Sequence, residues 1–255
     1  LFGELISSEK ESLAGLNSIG ANNAKAIFFA HSHYDHALDL VATYNITKAH
    51  IHGSNSTLNI ARGGNVPEDK LHLIDGGKTV QIGDFKVTII RSKHSVPPNS
   101  DTHQENESID KPLKQPSTNV QFAMGGNFDF LIEHSRASIL VKGSANYVPG
   151  AFKGLNVDAL FIGTAQLGIQ SKEFQQAFIE ESINAVSPEI IVPLHWDNFV
   201  QPWQKKGLEF NPKIVDHSPA KGLQLLIDYA EANLATFYLL QSTETLWIKK
   251  SVTIE

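Results

Sequence analysis

Four side chains that commonly bind metals lie within six residues, directly after a short apolar run. The cluster consists of His31, His33, Asp35 and His36, and the apolar run spans residues 26–30. The run predicts a buried strand, so the cluster is expected at the end of a rigid element. Imidazole and carboxylate are common ligands of zinc and other divalent cations. Burying such a cluster without a partner would be costly, and the pattern therefore indicates a metal site.

Two further histidines follow predicted strands in the same way. His94 comes after a β-branched run that ends at residue 90, and His195 comes directly after the apolar run 190–194. One histidine at a strand end is weak evidence of a site. Three such junctions in one chain favour a shared site, so we expect both residues to join the first cluster. His50, His52 and His72 stand outside any comparable cluster along the sequence and are predicted to have structural roles.

Predicted strands and helices alternate along the whole chain. The strands fall at residues 25–30, 49–52, 71–74, 79–82, 85–90, 127–133, 138–142, 158–162, 190–193 and 245–248, and the helices at 37–44, 55–61, 172–185 and 222–235. This order predicts an α/β protein. The strands at 127–133 and 138–142 are expected to form a hairpin around residues 134–136, and the helix at 55–61 is expected to begin at a capping cluster of Ser and Asn. No change in composition marks a boundary, so a single domain over residues 1–255 is expected. The proline-rich stretch at about 97–118 is predicted to be a loop insertion that faces the substrate.

The composition excludes several classes of protein. A formal net charge of -6 argues against a broad nucleic-acid surface, and no apolar run is long enough to span a membrane. With no cysteine, the chain has neither disulfides nor thiolate ligands. The chain starts at Leu1 rather than Met. A cytoplasmic location is expected, while an incomplete N-terminus and an export signal upstream stay open, as does the oligomeric state.

The run from His31 to His36, with His94 and His195 downstream, resembles the His-x-His-x-Asp-His signature of the metallo-β-lactamase superfamily. The resemblance covers nearly all of the chain from about residue 25. It implies a four-layer αββα sandwich, with the site at one edge between two sheets. In that pattern two ions share a bridging hydroxide, and the ligand sets are His31, His33 and His94 for one ion and Asp35, His36 and His195 for the other.

One position departs from the family pattern. The family supplies a bridging aspartate after a glycine at a strand end, and this chain has Gly143 followed by Ser144. A hydroxyl is a poor substitute for a carboxylate, so we expect weaker occupancy of one site or a single ion. Asp197 could restore the missing charge directly or from outside the ligand shell, or it could be an ordinary turn residue.

Particular segments of the chain resemble particular subgroups of the superfamily. Residues 143–151 and 193–197 resemble a poorly assigned bacterial subgroup of superfamily hydrolases. The segments around His36 and His195 are also similar to the N-acylphosphatidylethanolamine phospholipase D branch and to the ascorbate-phosphate lactonases. These relatives imply phosphodiester and lactone substrates, although kinship of fold does not determine the substrate.

The expected function is a metal-dependent hydrolase that uses a metal-bound hydroxide on a small ester, lactone or phosphodiester. Asp35 is the predicted general base, and Tyr34 and Trp196 are predicted to line the pocket. The cofactor is expected to be one or two divalent ions, with zinc first and manganese, iron and nickel left open. The alternative is a metal-binding or sensor protein with lost or weak catalysis, because Ser144 replaces the bridging aspartate.

Overall fold

The computed structural model describes residues 3–95, 107–198, 209–210, 218–241 and 244–249. The strands are β1 (Glu4–Leu5), β2 (Ala26–Phe28), β3 (His50–Gly53), β4 (Leu71–Leu73), β5 (Thr79–Ile82), β6 (Phe85–Ser92), β7 (Ser117–Thr118), β8 (Asn127–His134), β9 (Ala137–Lys142), β10 (Ala159–Gly163), β11 (Ile190–Leu194) and β12 (Thr236–Phe237). The α-helices are α1 (Glu9–Ser18), α2 (Tyr34–Ala37), α3 (Leu40–Thr47), α4 (Asn55–Gly63), α5 (Lys172–Ile179) and α6 (Pro219–Asn233). The chain divides into two compact units: unit 1 comprises residues 1–78 and 101–128, and unit 2 comprises residues 79–100 and 129–255.

Unit 1 is built on a parallel sheet of three strands in the order β2-β3-β4. Helix α4 follows β3 after Ser54, whose side chain accepts a hydrogen bond from the amide of Thr57 and so satisfies the start of the helix. Leu40, Ile51 and Ile60 are almost fully buried in the core of this unit. The strands and helices of this unit therefore share one apolar core, and the loop that follows β2 starts from this packed region.

The second half of the proline-rich stretch packs on α4. Asn59 Nδ2 donates to the carbonyl of Ile109 at 2.6 Å, and the amide of Leu113 donates to the carbonyl of Asn59 at 2.9 Å. Ile109 is buried in the core of unit 1. Residues 107–118 therefore belong to the packed body of unit 1, while residues 97–106 of the predicted insertion lie outside the described residues.

Unit 2 is built on a mixed sheet of seven strands in the order β12-β11-β10-β9-β8-β6-β5. Strands β8 and β9 form the predicted antiparallel hairpin, and β9, β10, β11 and β12 run parallel to one another. Leu140, Leu160 and Ile162 are fully buried against α5 and α6 residues such as Phe178 and Leu226. Because the strands are parallel, the carboxyl ends of β9, β10 and β11 share one edge of the sheet.

The α/β class is confirmed, with two local corrections. Residues 244–249 form no strand, because the edge of β11 pairs instead with β12, directly after α6. The helix predicted to end at residue 185 is α-helical only to Ile179 and continues as a π-helix over Glu180–Asn184. Among the described residues no helix combines the length and apolar character that crossing a membrane requires. A single domain over residues 1–255 stays a prediction.

Candidate metal centre

The loop after β2 brings the four predicted ligands of unit 1 together. The ring centroids of His31 and His36 lie 3.9 Å apart, and those of His31 and His33 lie 4.8 Å apart at an interplanar angle of 89°. The amides of His36 and Ala37 donate to the carbonyl of His33 at 3.0 and 2.9 Å, which closes the first turn of α2. This turn brings His36 back beside His31. Asp35 Oδ2 lies 3.4 Å from His36 Nε2.

Ser32, between the first two histidines, anchors this loop. Its hydroxyl lies 2.7 Å from the carbonyl of Ala123 and 2.8 Å from that of Met124, and its amide donates to Met124 at 3.0 Å. Gly125 follows with a φ of 66°, and a side chain there would collide with Ser56. Sequence reasoning did not identify Ser32 or Gly125 as site residues. Two features of the sequence could have indicated them: a small polar residue inside the histidine motif, and the consecutive glycines Gly125 and Gly126 further along the chain.

The donor set of this loop suits a divalent cation. His31 is 1% exposed, and both of its ring nitrogens are shielded from solvent. His33 and His36 are half-buried. Imidazole nitrogen is a preferred ligand of zinc and of the neighbouring divalent metals, and three imidazoles lie close together here. His31, His33, Asp35 and His36 all belong to groups of side chains that could hold a metal ion.

Unit 2 places His94 beside the end of β9. The carbonyl of His94 accepts a hydrogen bond of 2.7 Å from Asn146 Nδ2, although the two residues are 52 positions apart. Ser144, at the position where the family has its bridging aspartate, is 4% exposed and lies in the same short segment. The edge of the sheet therefore carries both His94 and the residue that departs from the family pattern.

His195 directly follows β11 at the same edge and has a strained backbone. Its φ is 62°, in the left-handed region that non-glycine residues seldom occupy. The carbonyl of Leu194 accepts hydrogen bonds of 3.0 Å from both the amide and the hydroxyl of Thr164. These bonds hold the end of β11 while the backbone turns. Strain of this kind concentrates at functional sites, and His94 and His195 are each half-buried members of groups that could hold a metal.

The remaining predicted site residues have identifiable surroundings. Asp197 is half-buried, and its backbone forms an antiparallel bridge with Phe210. Trp196 is 7% exposed, and its ring meets that of Phe210 edge to face at 5.8 Å. Tyr34 packs against the core of unit 1, and burial, together with the charge of Asp35, raises the pKa of its phenol. Packing accounts for much of the surface of both aromatic rings, and their pocket roles stay predictions.

A second histidine cluster lies in the sheet of unit 1, where the sequence suggested scattered residues. His52 pairs in register with Phe28 on β2 and with His72 on β4, and its ring stacks on both at centroid distances of 4.4 and 4.6 Å. His50 Nδ1 lies 2.7 Å from His72 Nε2. Burial, and then the neighbouring imidazoles, lower the pKa of His52 to about 4. Strand register brings these three histidines together although they are scattered along the sequence, and their predicted structural or surface role stays a prediction.

A family model described as the β-lactamase superfamily domain matches residues 13–196 of this chain. The match covers well over half of the sequence and includes every predicted ligand. The chain therefore belongs to the metallo-β-lactamase superfamily and has the fold of its metal-dependent hydrolases. A search of curated proteins finds no match.

Solved structures support the same fold. The isothiocyanate hydrolase from Delia radicum gut bacteria is 11% identical with a TM-score of 0.54, and the match covers 91% of this chain and 79% of that one. Igni18, a metallo hydrolase from Ignicoccus hospitalis, is 12% identical with a TM-score of 0.53 over 88% and 79%. CmlA, a diiron β-hydroxylase from Streptomyces venezuelae, is 14% identical with a TM-score of 0.53 over 85% and 44%. At these identities the likeness establishes the fold and leaves the substrate open.

Proposed function

We propose that this protein is a hydrolase whose divalent ions are held by two sets of side chains. His31, His33 and His94 form the first set, and Asp35, His36 and His195 form the second. The observation that supports this most directly is the loop after β2, where three imidazoles and a carboxylate converge around the buried His31. The strained position of His195 at a strand end of unit 2 adds support from a second part of the chain.

A divalent cation held by these residues would lower the pKa of a bound water far enough to supply hydroxide at neutral pH, and it would polarise a substrate oxygen. Asp35 is the proposed general base, since its carboxylate lies beside the imidazole cluster and beside His36 Nε2. It accepts the proton that the attacking water loses and passes it to the leaving group. Ser32 keeps the loop in place during this transfer, because its hydrogen bonds tie the centre of the motif to Ala123 and Met124.

The proposed substrate is a small ester, lactone or phosphodiester. Support comes from the likeness of the motif segments to the phospholipase D and lactonase branches of the superfamily. All three substrate types present a polarised carbonyl or phosphoryl centre to an attacking water. A neighbour named as an isothiocyanate hydrolase indicates how widely substrates vary on this fold, so the reaction class requires a direct test.

Zinc is the proposed metal because imidazole-rich sites with one or two carboxylates suit it well. Manganese, iron and nickel accept similar ligands, and a neighbour named as a diiron enzyme keeps iron in consideration. The number of ions depends on Ser144. Its buried hydroxyl carries no negative charge, which leaves a two-ion centre one charge short.

Ser144 also supports a second candidate, a metal-binding or sensor protein with weak or lost catalysis. In that case the ligands of the first set still bind one ion, while the second ion and the hydrolytic reaction are lost. Metal content and turnover together distinguish the two candidates, because a single ion on the first set is compatible with either. Two equivalents favour the two-ion hydrolase, one equivalent favours a three-histidine site, and none contradicts both candidates.

The decisive experiment measures hydrolysis by zinc-loaded protein on a panel of a lactone, a phosphodiester and a β-lactam. Turnover of the lactone or the phosphodiester is expected, with a loss of about 100-fold or more in His33→Ala because a proposed ligand is removed. His134→Ala is the matched control, since His134 lies at the β8–β9 turn, at the opposite end of β9 from Ser144. Full activity in His33→Ala, or no turnover by metal-loaded wild type, would contradict the proposal. Ser144→Asp is expected to increase binding of the second equivalent.

A further inference from the structure

The segment that departs from the family pattern makes a direct contact with the backbone of His94. Asn146 lies two residues beyond Ser144, and its Nδ2 donates to the carbonyl of His94 at 2.7 Å. Its Oδ1 accepts a hydrogen bond of 2.8 Å from the amide of Tyr147. Asn146 is only 9% exposed, so both ends of its amide are engaged in a buried position. A side chain held at both ends has one available orientation and can fix the backbone it contacts.

A buried ion pair lies beneath this contact and, with a hydrogen bond to Ser92, links the same two strand ends. Lys142 Nζ, at the end of β9, lies 3.1 Å from Asp129 Oδ2 and 3.3 Å from Ser92 Oγ at the end of β6. Lys142 and Asp129 are each 1% exposed. Burial raises the pKa of Asp129, although the positive charge of Lys142 opposes the shift. A fully buried pair is tolerated only with good geometry and further hydrogen bonds. Here the pair joins β8 to β9, and the hydrogen bond from Lys142 to Ser92 extends the link to the end of β6.

The neighbouring strand leaves the segment little room to move. A side chain at Gly163, on β10, would approach the carbonyl of Gly143 to 2.6 Å, so β10 lies directly against this turn. The segment from Gly143 to Asn146 is thus held by the ion pair at its start and by close packing along its length. It offers a rigid support from which Asn146 reaches His94.

We propose that Asn146 is a positioning residue that holds His94 in the orientation needed to bind a metal ion. The inference rests on the proposed function, because it requires His94 to be a ligand. The direction of the His94 ring follows from its backbone, and the hydrogen bond to its carbonyl restrains that backbone. Groups outside the ligand shell that orient a ligand strongly affect metal affinity. In this chain Asn146 links the two strand ends across a segment that lacks the family's bridging carboxylate.

The test uses Co²⁺ as the probe, because its visible absorption reports both affinity and coordination geometry. Metal-free wild type, Asn146→Ala, Asn146→Leu and His94→Ala are titrated with Co²⁺. Both Asn146 variants are expected to bind about 10-fold more weakly, with an altered absorption spectrum, and His94→Ala is expected to bind at least as weakly as either. The leucine variant keeps about the same side-chain volume and removes the polar atoms. It therefore separates loss of the hydrogen bonds from the effect of the cavity that alanine would leave.

Asn233→Ala is the matched control. Asn233 Nδ2 also donates to a backbone carbonyl, that of Tyr229 at 2.9 Å, but it does so at the exposed end of α6. Its Co²⁺ affinity and spectrum are expected to equal those of wild type. Wild-type affinity and spectrum in both Asn146 variants, with weakened binding in His94→Ala, would overturn the positioning role and leave the proposed function intact. Failure of wild type to bind Co²⁺ would overturn both.

Discussion

Unit 1 contains two histidine clusters whose surroundings differ in kind. In the loop cluster, His31, His33 and His36 lie beside the carboxylate of Asp35. In the sheet cluster, His52 stacks on Phe28 of β2 and on His72 of β4, within the parallel strands. The loop cluster combines imidazole nitrogens with a carboxylate, which are the ligand types that zinc and related cations bind. In the sheet cluster, the imidazole rings pack on other rings, and His50 forms a hydrogen bond with His72.

The two clusters also differ in the charge beside them: a carboxylate at the loop cluster and an ammonium at the sheet cluster. Lys70 Nζ lies 3.5 Å from His50 Nε2, and His50 Nδ1 lies 2.7 Å from His72 Nε2. An ammonium can only donate a hydrogen bond, so His50 Nε2 is the acceptor at its contact with Lys70. His50 Nδ1 and His72 Nε2 therefore engage each other, and the ammonium beside His50 disfavours a second cation at this place. Proximity of histidines is therefore weaker evidence of a metal site than the charge and hydrogen bonding of their neighbours.

The largest expected difference between the two clusters is the loss of stability when one histidine is replaced in metal-free protein. His52 is 4% exposed and stacked on two rings, so His52→Ala should lower the free energy of unfolding by about 3 kcal/mol. His33 is a half-buried loop residue, and His33→Ala should change the same quantity by less than about 1 kcal/mol. Urea unfolding in the presence of a chelator measures both. Equal costs would mean that the loop cluster, too, is a structural element.

The gain in stability on adding metal should depend on the loop cluster and not on the sheet cluster. Zinc at 100 times its dissociation constant is expected to raise the free energy of unfolding of wild type by about 2.7 kcal/mol, since only the folded chain presents the loop cluster. His52→Phe should keep this gain, and His33→Ala should lose most of it. Thermal unfolding with and without zinc provides the measurement. An unchanged gain in His33→Ala would remove the loop cluster from the metal site.

The smallest expected effect is a pH dependence confined to the sheet cluster. The pKa of His52 is lowered from 6.5 to about 4, first by burial and then by His72 and His50. As the pH falls below 6.5 the unfolded chain takes up the proton first, so stability is complete above that pH and is lost progressively toward pH 4. Between pH 7 and pH 4.5 the loss from His52 is about 2.5 kcal/mol.

The pKa of His72 is also lowered, by burial and then by His50, so it adds to the loss in the same direction; Asp69 opposes the shift and Lys70 supports it. His52→Phe is the control, because phenylalanine retains a ring for stacking and does not titrate. Urea unfolding of metal-free protein at both pH values should show a shallower pH dependence in this variant. The same slope in wild type and His52→Phe would assign the acid sensitivity to other groups.

Patterns local in sequence predicted much of the fold. The alternation of residues 127–142 around a polar turn predicted the β8–β9 hairpin, and Ser54 ahead of an amphipathic run predicted the start of α4. Such elements depend on neighbours a few residues apart. The edge partner of β11 was not predictable in this way, since either of two short apolar runs, at 236–237 or at 245–248, could have paired with it.

Residue spacing along the sequence was enough to predict the family and the four ligand-type residues between His31 and His36. The alternation of strand and helix patterns along the chain was enough to predict the α/β class. Only the tertiary structure determined what holds that segment and its partners. Ser32 is anchored to a segment 91 residues away, Asn146 reaches His94 across 52 residues, and His52 meets His72 through strand register. Contacts over such separations depend on how strands pair and where they end. That information lies in the packed chain as a whole.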